Sequence, residues 1–176
     1  PVINDIPNVS MDEDGTHSFT VTYSDIDDVL SASNISISYD DSAILATMTS
    51  VSSTSANIQI DPVDNYSGSS SATLTVNEPD GEASVQSTFI VTVNSINDAP
   101  IISSIPSVTD IEINAPFSYQ VSATDIDDVV LTYQISGEPS GMNMSDGGLI
   151  SWTPTNPVPS IEVITITVSD GPLSDP

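Results

Sequence analysis

The chain has no lysine, no arginine and no cysteine. Its 176 residues include 25 acidic ones and a single histidine, for a formal charge of −25 near neutral pH. An average protein is about 25% charged with both signs present, so about twenty basic residues are expected in a chain this long. Without them, no carboxylate can pair with a basic side chain of that kind. Two like charges 4 Å apart repel by about 1 kcal/mol in water and by about 4 kcal/mol at an effective dielectric near 20. Dissolved cations are the remaining counter-charges, and clustered carboxylates favour a hard divalent one. Nucleic acid is excluded as a partner, because phosphate binding relies on Lys and Arg, and anionic membranes are disfavoured for the same reason. No apolar run is long enough for a membrane span, so no membrane insertion is expected. With no Cys and one His, transition-metal sites lack ligands. The lack of Cys suits a bacterial-type surface protein that folds without disulfides, although it does not fix the compartment. Pro1 reads as a point inside a longer chain.

What the chain does have is a repeat. Ser24-Asp25-Ile26-Asp27-Asp28-Val29-Leu30 returns as Thr124-Asp125-Ile126-Asp127-Asp128-Val129-Val130, one hundred residues later. Upstream, Pro1-Val2-Ile3 and Ile6-Pro7 line up with Pro100-Ile101-Ile102 and Ile105-Pro106 at an offset of ninety-nine. Repeats of this length are read before any local pattern, because each unit carries its own core.

Period-two alternation dominates both units. It marks Phe19-Val21-Tyr23, Ile35-Ile37-Tyr39, Ile58-Ile60, Ala72-Leu74-Val76 and Phe89-Val91-Val93 in the first. In the second it marks Phe117-Tyr119-Val121-Ala123, Leu131-Tyr133-Ile135, Ile150-Trp152 and Ile164-Ile166-Val168. Turn pairs such as Asp14-Gly15, Asp80-Gly81 and Asp170-Gly171 separate the runs. Short strands with such spacing predict an all-β chain of two antiparallel β-sandwiches, residues 1–99 and 100–176. Aligning Val76 with Val168 leaves the second sandwich lacking its last strand, the counterpart of Thr88 to Val93.

The residues quoted so far, together with Val121-Ser122-Ala123-Thr124-Asp125-Ile126-Asp127, Ile166-Thr167-Val168-Ser169-Asp170-Gly171 and Asn97-Asp98-Ala99-Pro100, resemble cadherin-like modules over essentially the whole chain. The first unit resembles the tandem cadherin-like repeats of bacterial surface adhesins. The second, with Gly148-Leu149-Ile150-Ser151-Trp152-Thr153-Pro154, resembles dystroglycan-type cadherin-like and immunoglobulin-like modules. The resemblance implies immunoglobulin/cadherin-like Greek-key sandwiches, with calcium at the junctions stiffening a rod. Some ligands of the family pattern are missing: Ser95 and Ala99 replace an Asp and an Asn, and the Leu-Asp-Arg-Glu segment is absent. One or two ions per junction are therefore expected, not three.

Calcium takes six to eight oxygens at about 2.3–2.6 Å. Asp25 and Asp27, two apart on an extended segment, would present carboxylates about 6–7 Å apart on one side, with Asp28 pointing the other way unless the strand ends there. The set expected for the second unit is Asp125, Asp127 and Asp170 with Asn97 and Asp98, plus Glu13 and either Asp61 or Asp64 from the first. Glu78 keeps a carboxylate where the second unit has Asp170.

Other readings point elsewhere. His17 shares the register of Phe19 and Val21, which makes it a packing residue and not a catalytic base. No Ser-His-Asp arrangement is apparent, so no enzyme is expected. An exposed Trp152 with Tyr119 and Tyr133 would suit a carbohydrate-binding module, but the alternation with Ile150 favours core. The chain thus reads as a calcium-stabilised stalk or filament segment of a secreted or surface protein, partnered by neighbouring modules or homotypic subunits. The alternative is a polysaccharide-binding module. An open edge on the second sandwich invites strand exchange, with Pro1 to Met11 as a candidate donor.

Overall fold

The computed structural model describes residues 1–107, 110–155, 163–171 and 174–175. The chain divides into two compact units, Pro1–Ile96 and Asn97–Pro176, so Asn97, Asp98 and Ala99 go with the second.

Unit 1 has eight strands: β1 (Val2–Ile3), β2 (Val9–Asp12), β3 (His17–Ser24), β4 (Ile35–Tyr39), β5 (Ile44–Val51), β6 (Ser55–Pro62), β7 (Gly68–Asn77) and β8 (Ser84–Asn94). They form two four-stranded sheets, ordered β1-β3-β6-β5 and β2-β8-β7-β4. Every pairing is antiparallel except β2 with β8. This is the immunoglobulin order, the first strand being divided between the sheets. The division falls at Asn4 to Asn8, where Pro7 has no N–H to donate to a ladder. Alternation puts Ile58, Ile60, Leu74, Val76, Phe89 and Val91 in the core, each at most 1% exposed. Phe19 meets Phe89 edge-on, with centroids 5.5 Å apart, a preferred aromatic geometry.

One strand escaped the alternation, and one expectation needs correction. Strand β5 is not legible from alternation, because Leu45 projects outward at 44% exposure while Ile44 and Ala46 are buried, and its register shifts between Met48 and Ser50. The segment Pro1 to Met11 is already in use: β1 pairs with β3, β2 pairs with β8, and Ile6, Val9 and Met11 are buried in the unit's own core. A donor role would require withdrawing them from it.

Unit 2 has β9 (Ile101–Ser104), β10 (Phe117–Gln120), β11 (Ser122–Thr124), β12 (Thr132–Ser136), β13 (Asn143–Met144), β14 (Leu149–Trp152), β15 (Thr165–Ser169) and β16 (Ser174–Asp175). The sheets are β10-β14-β13, β11-β9 and β12-β15-β16. The run Phe117 to Ala123, one strand by alternation, is split at Val121. The Val121 N–H bonds Gly148 O (3.0 Å), and the register of β11 on β9 shifts just after it, between Ser122 and Ala123. Where β7 is flanked by the eleven-residue β8, β15 is flanked among the described residues by the two-residue β16, paired at Val168 and Ser169. Val121, Met142, Ile150, Trp152 and Ile166 make the core.

The repeat extends to strained backbone. Asp14 and Asn114, equivalent positions, both lie in the left-handed region (φ 60° and 65°), which short polar side chains tolerate. Gly148 also has positive φ (83°), and a Cβ there would lie 2.9 Å from the Tyr133 ring. Gly148→Ala should therefore lower the urea midpoint of unit 2, read by the fluorescence of Trp152. In unit 1, Phe89→Ala should cost about 3–5 kcal/mol, read by circular dichroism. Unchanged midpoints would contradict this packing.

Candidate metal centres

Strand β3 ends abruptly. Tyr23 is 2% exposed, and its hydroxyl donates to the carbonyls of Ser52 and Ser55 (both 2.9 Å), which pins the last inward-facing position. From Asp25 the chain turns. Asp25 Oδ1 accepts the backbone N–H of Asp27 (3.2 Å) and of Asp28 (3.1 Å), an Asx-type turn. The carboxylates of Asp25, Asp27 and Asp28 thereby offer oxygens within 4.8 Å of one another. The extended spacing expected for Asp25 and Asp27 is thus replaced by a turn. Asp28, expected to face away along an extended strand, joins the cluster.

The nitrogen of Pro1, the first residue of this sequence, sits against the cluster. It lies 2.8 Å from Asp25 Oδ2 and 3.7 Å from Glu78 Oε1, and the Asp25 side chain is 1% exposed. That hydrogen bond, with the N–H groups of the turn, holds the Asp25 carboxyl well below the usual carboxylate range. Asp27 moves the other way. It shares a hydrogen bond with Asp25, and crowding by that charge favours its protonated form.

Unit 2 repeats the turn. Strand β11 ends at Thr124, and Asp125 Oδ1 accepts the N–H groups of Asp127 and Asp128 (both 2.8 Å). The residues leading into β9 close over it. The Asp98 N–H donates to Asp127 Oδ2 (2.9 Å), and the Asn97 amide donates to Asp170 Oδ2 (2.5 Å) and to Asp98 O (3.1 Å). Asp170 is the first residue after β15, as Glu78 is the first after β7. Asp125 Oδ2 is buried and has no hydrogen-bond partner among the described residues. Buried carboxylate oxygens are normally satisfied, so a cation fits at this atom.

Of the expected ligands, the fold brings together Asp25 with Asp27, and Asn97, Asp98, Asp125, Asp127 and Asp170. Glu13 and Asp61 lie in unit 1 at the other end of β3, where His17 pairs with Ile60. Glu13 is 6% exposed, and its Oε1 accepts the Ile96 N–H at 2.6 Å, so this carboxylate holds the end of unit 1. Asp61 is exposed on β6 opposite Leu45. His17 stacks on Phe19 with centroids 5.9 Å apart. Trp152 is 6% exposed and its Nε1–H donates to Ser140 O (3.2 Å), so it belongs to the core and forms no sugar-stacking platform.

Residues 99–175 match the family model described as "Putative Ig domain". No curated protein matches the chain. Among solved structures the chain is similar to an endo-fucoidan hydrolase of glycoside hydrolase family 107, at 19% identity and TM-score 0.39, over 97% of this chain and 26% of that one. It is also similar to titin domains Z1Z2 in complex with telethonin (15%, TM-score 0.41, 99% and 91% covered). A third is domains 4–9 of surface layer protein SbsC (15%, TM-score 0.40, 99% and 29% covered). The chain thus spans about a quarter of the hydrolase chain. Likenesses at this level carry no inference about activity or ligand.

The opposed shifts have opposite consequences for stability. Asp25, with its folded value lowered, stabilises the fold above its unfolded pKa, and that contribution is lost as pH falls through the lowered value. Asp27, with its folded value raised, contributes fully below its unfolded pKa, and that contribution is lost as pH rises through the raised value. Asp27→Asn should therefore raise the melting temperature of unit 1 near pH 7 in chelator, with the advantage shrinking on acidification. A variant that melts lower than the native chain at pH 7 in chelator would contradict the crowding.

Proposed function

We propose that this chain is a non-catalytic, calcium-stabilised segment of an extracellular surface or fibrous protein, built of two cadherin-like modules. The observation that carries this reading is Asp125 Oδ2, a shielded carboxylate oxygen without a hydrogen-bond partner among the described residues. Around it converge the loop Asp125 to Asp128, the leading residues Asn97 and Asp98, and Asp170. All the side-chain donors there are oxygens of Asp or Asn, which suit a hard cation. Calcium accepts irregular sets of carboxylates and carbonyls, whereas magnesium demands near-octahedral geometry and retains waters.

Asp125, Asp127, Asp170, Asn97 and Asp98 would hold the ion in unit 2. Asp25, Asp27 and Asp28, with Glu78 beside them, would do so in unit 1. The bound charge supplies what the composition withholds, a cation among carboxylates. The chain's own residues do the rest. The Asx turn converges the side chains, and Asn97 and Asp98 tie the leading segment to the loop, so the start of unit 2 is fixed when the site is filled. No helix among the described residues is long and apolar enough to cross a membrane.

A ligand at 100 times its dissociation constant stabilises the folded state by about 2.7 kcal/mol. Calcium should therefore raise the melting temperature, and Asp125→Ala with Asp127→Ala should remove the gain in unit 2. Identical melting in calcium and in chelator would refute a structural ion.

A further inference from the structure

Apart from the acidic loops, unit 1 has a groove of about 440 Å³ lined by Asp40, Asp41, Ser69, Ser70, Ser71 and Ile90. It forms because β4 stops at Tyr39, opposite Ala72, while β7 extends back to Gly68 beside β8. The Asp40 N–H reaches Ser71 O (3.1 Å), and Gly68 to Ser70 have no β4 residue paired with them. The walls are fixed. Asp41 accepts the Ala43 N–H (2.9 Å) and the Tyr66 hydroxyl (3.0 Å), and Asp40 accepts the Ser71 hydroxyl. Ser70 Oγ is shielded from solvent and lacks a hydrogen-bond partner among the described residues. Ile90 is 48% exposed, an aliphatic surface whose backbone N–H is tied to Asn8 Oδ1 (2.9 Å).

The groove opens beside a sheet face of unusual character for so acidic a chain. Of the strands among the described residues, only β2, β6 and β16 carry a carboxylate, and each lies at or next to the strand's end. Beside the groove, uncharged side chains bond one another in rows: Ser69 with Thr92 (3.2 Å), Thr73 with Thr88 (2.9 Å) and Gln86 with Thr75 (3.2 Å).

We propose that this groove binds a neutral saccharide. Carboxylates held in place accept sugar hydroxyls as charge-assisted hydrogen bonds. Serine hydroxyls both donate and accept, and Ile90 offers an apolar surface to the C–H face of a pyranose ring. With no basic side chain in the chain, sulfated, phosphorylated or uronic sugars are repelled. A lone calcium ion is the competing occupant. It wants six to eight oxygens, whereas the groove lining has two carboxylates.

The site is independent of the metal loops, so the test is run in chelator. Native affinity electrophoresis through galactomannan, arabinoxylan, mixed-linkage β-glucan or dextran should retard the chain in at least one gel, while alginate and polygalacturonate should not. Asp40→Ala and Ile90→Ser should each weaken that binding at least ten-fold, with native circular dichroism. Asp125→Ala should leave it unchanged. Retardation by none of the four neutral polymers overturns the proposal, as does retardation that survives the groove substitutions. A calorimetric calcium isotherm lost in Asp40→Ala would make the groove a cation site and overturn it as well.

Discussion

Carboxylates that have no basic side chain to meet them govern this structure. With 25 acidic residues and neither Lys nor Arg, the chain cannot use the ordinary surface ion pair. Acidic residues are correspondingly scarce in the strands, so the sheets are free to be neutral, with apolar side chains inside and hydroxyls and amides outside. Where carboxylates must crowd, at the loops after β3 and β11, the backbone supplies the compensation. In each unit one Asp turns the chain by accepting two N–H groups. In unit 2, nitrogen donors of the leading segment reach the neighbouring carboxylates, the Asn97 amide on Asp170 and the Asp98 N–H on Asp127.

This partial compensation explains why the two loops have the same design but different local chemistry. N–H groups carry only fractional charge, so a loop closed by them remains short of positive charge. The shielded Asp125 oxygen is where that deficit is most evident in unit 2, and the upward displacement of Asp27 is its counterpart in unit 1. A divalent ion in each loop relieves the deficit there, which is the physical content of the calcium reading.

Much of the fold was legible because alternation is strong where both sheet faces have clear partners. Strands β3, β4, β6, β7 and β8 follow it residue by residue. Strand β5 escaped because Leu45 breaks the pattern on the solvent side, and the break in the Phe117 to Ala123 run escaped because nothing in its residue types announces that Val121 pairs with Gly148. The acidic loops were legible through their repetition, and their geometry was not. An extended Asp25-Ile26-Asp27 would leave Asp28 outside, whereas the strand ends at Ser24 and the turn gathers all three. Placing Asp61 and Glu13 needed topology. Both lie at the His17 end of β3, where the Glu13 carboxylate is engaged by the Ile96 N–H, a long-range contact that sequence spacing does not encode. Trp152 followed its alternation into the core.

The account's central claim is that each unit's acidic loop is a cation site. Equilibrium dialysis against radioactive calcium at millimolar concentration counts the ions directly. The account predicts two per chain, one lost in Asp125→Ala with Asp127→Ala and the other in Asp25→Ala with Asp27→Ala. Stoichiometric binding that survives these substitutions, or no stoichiometric binding in the native chain, would contradict it.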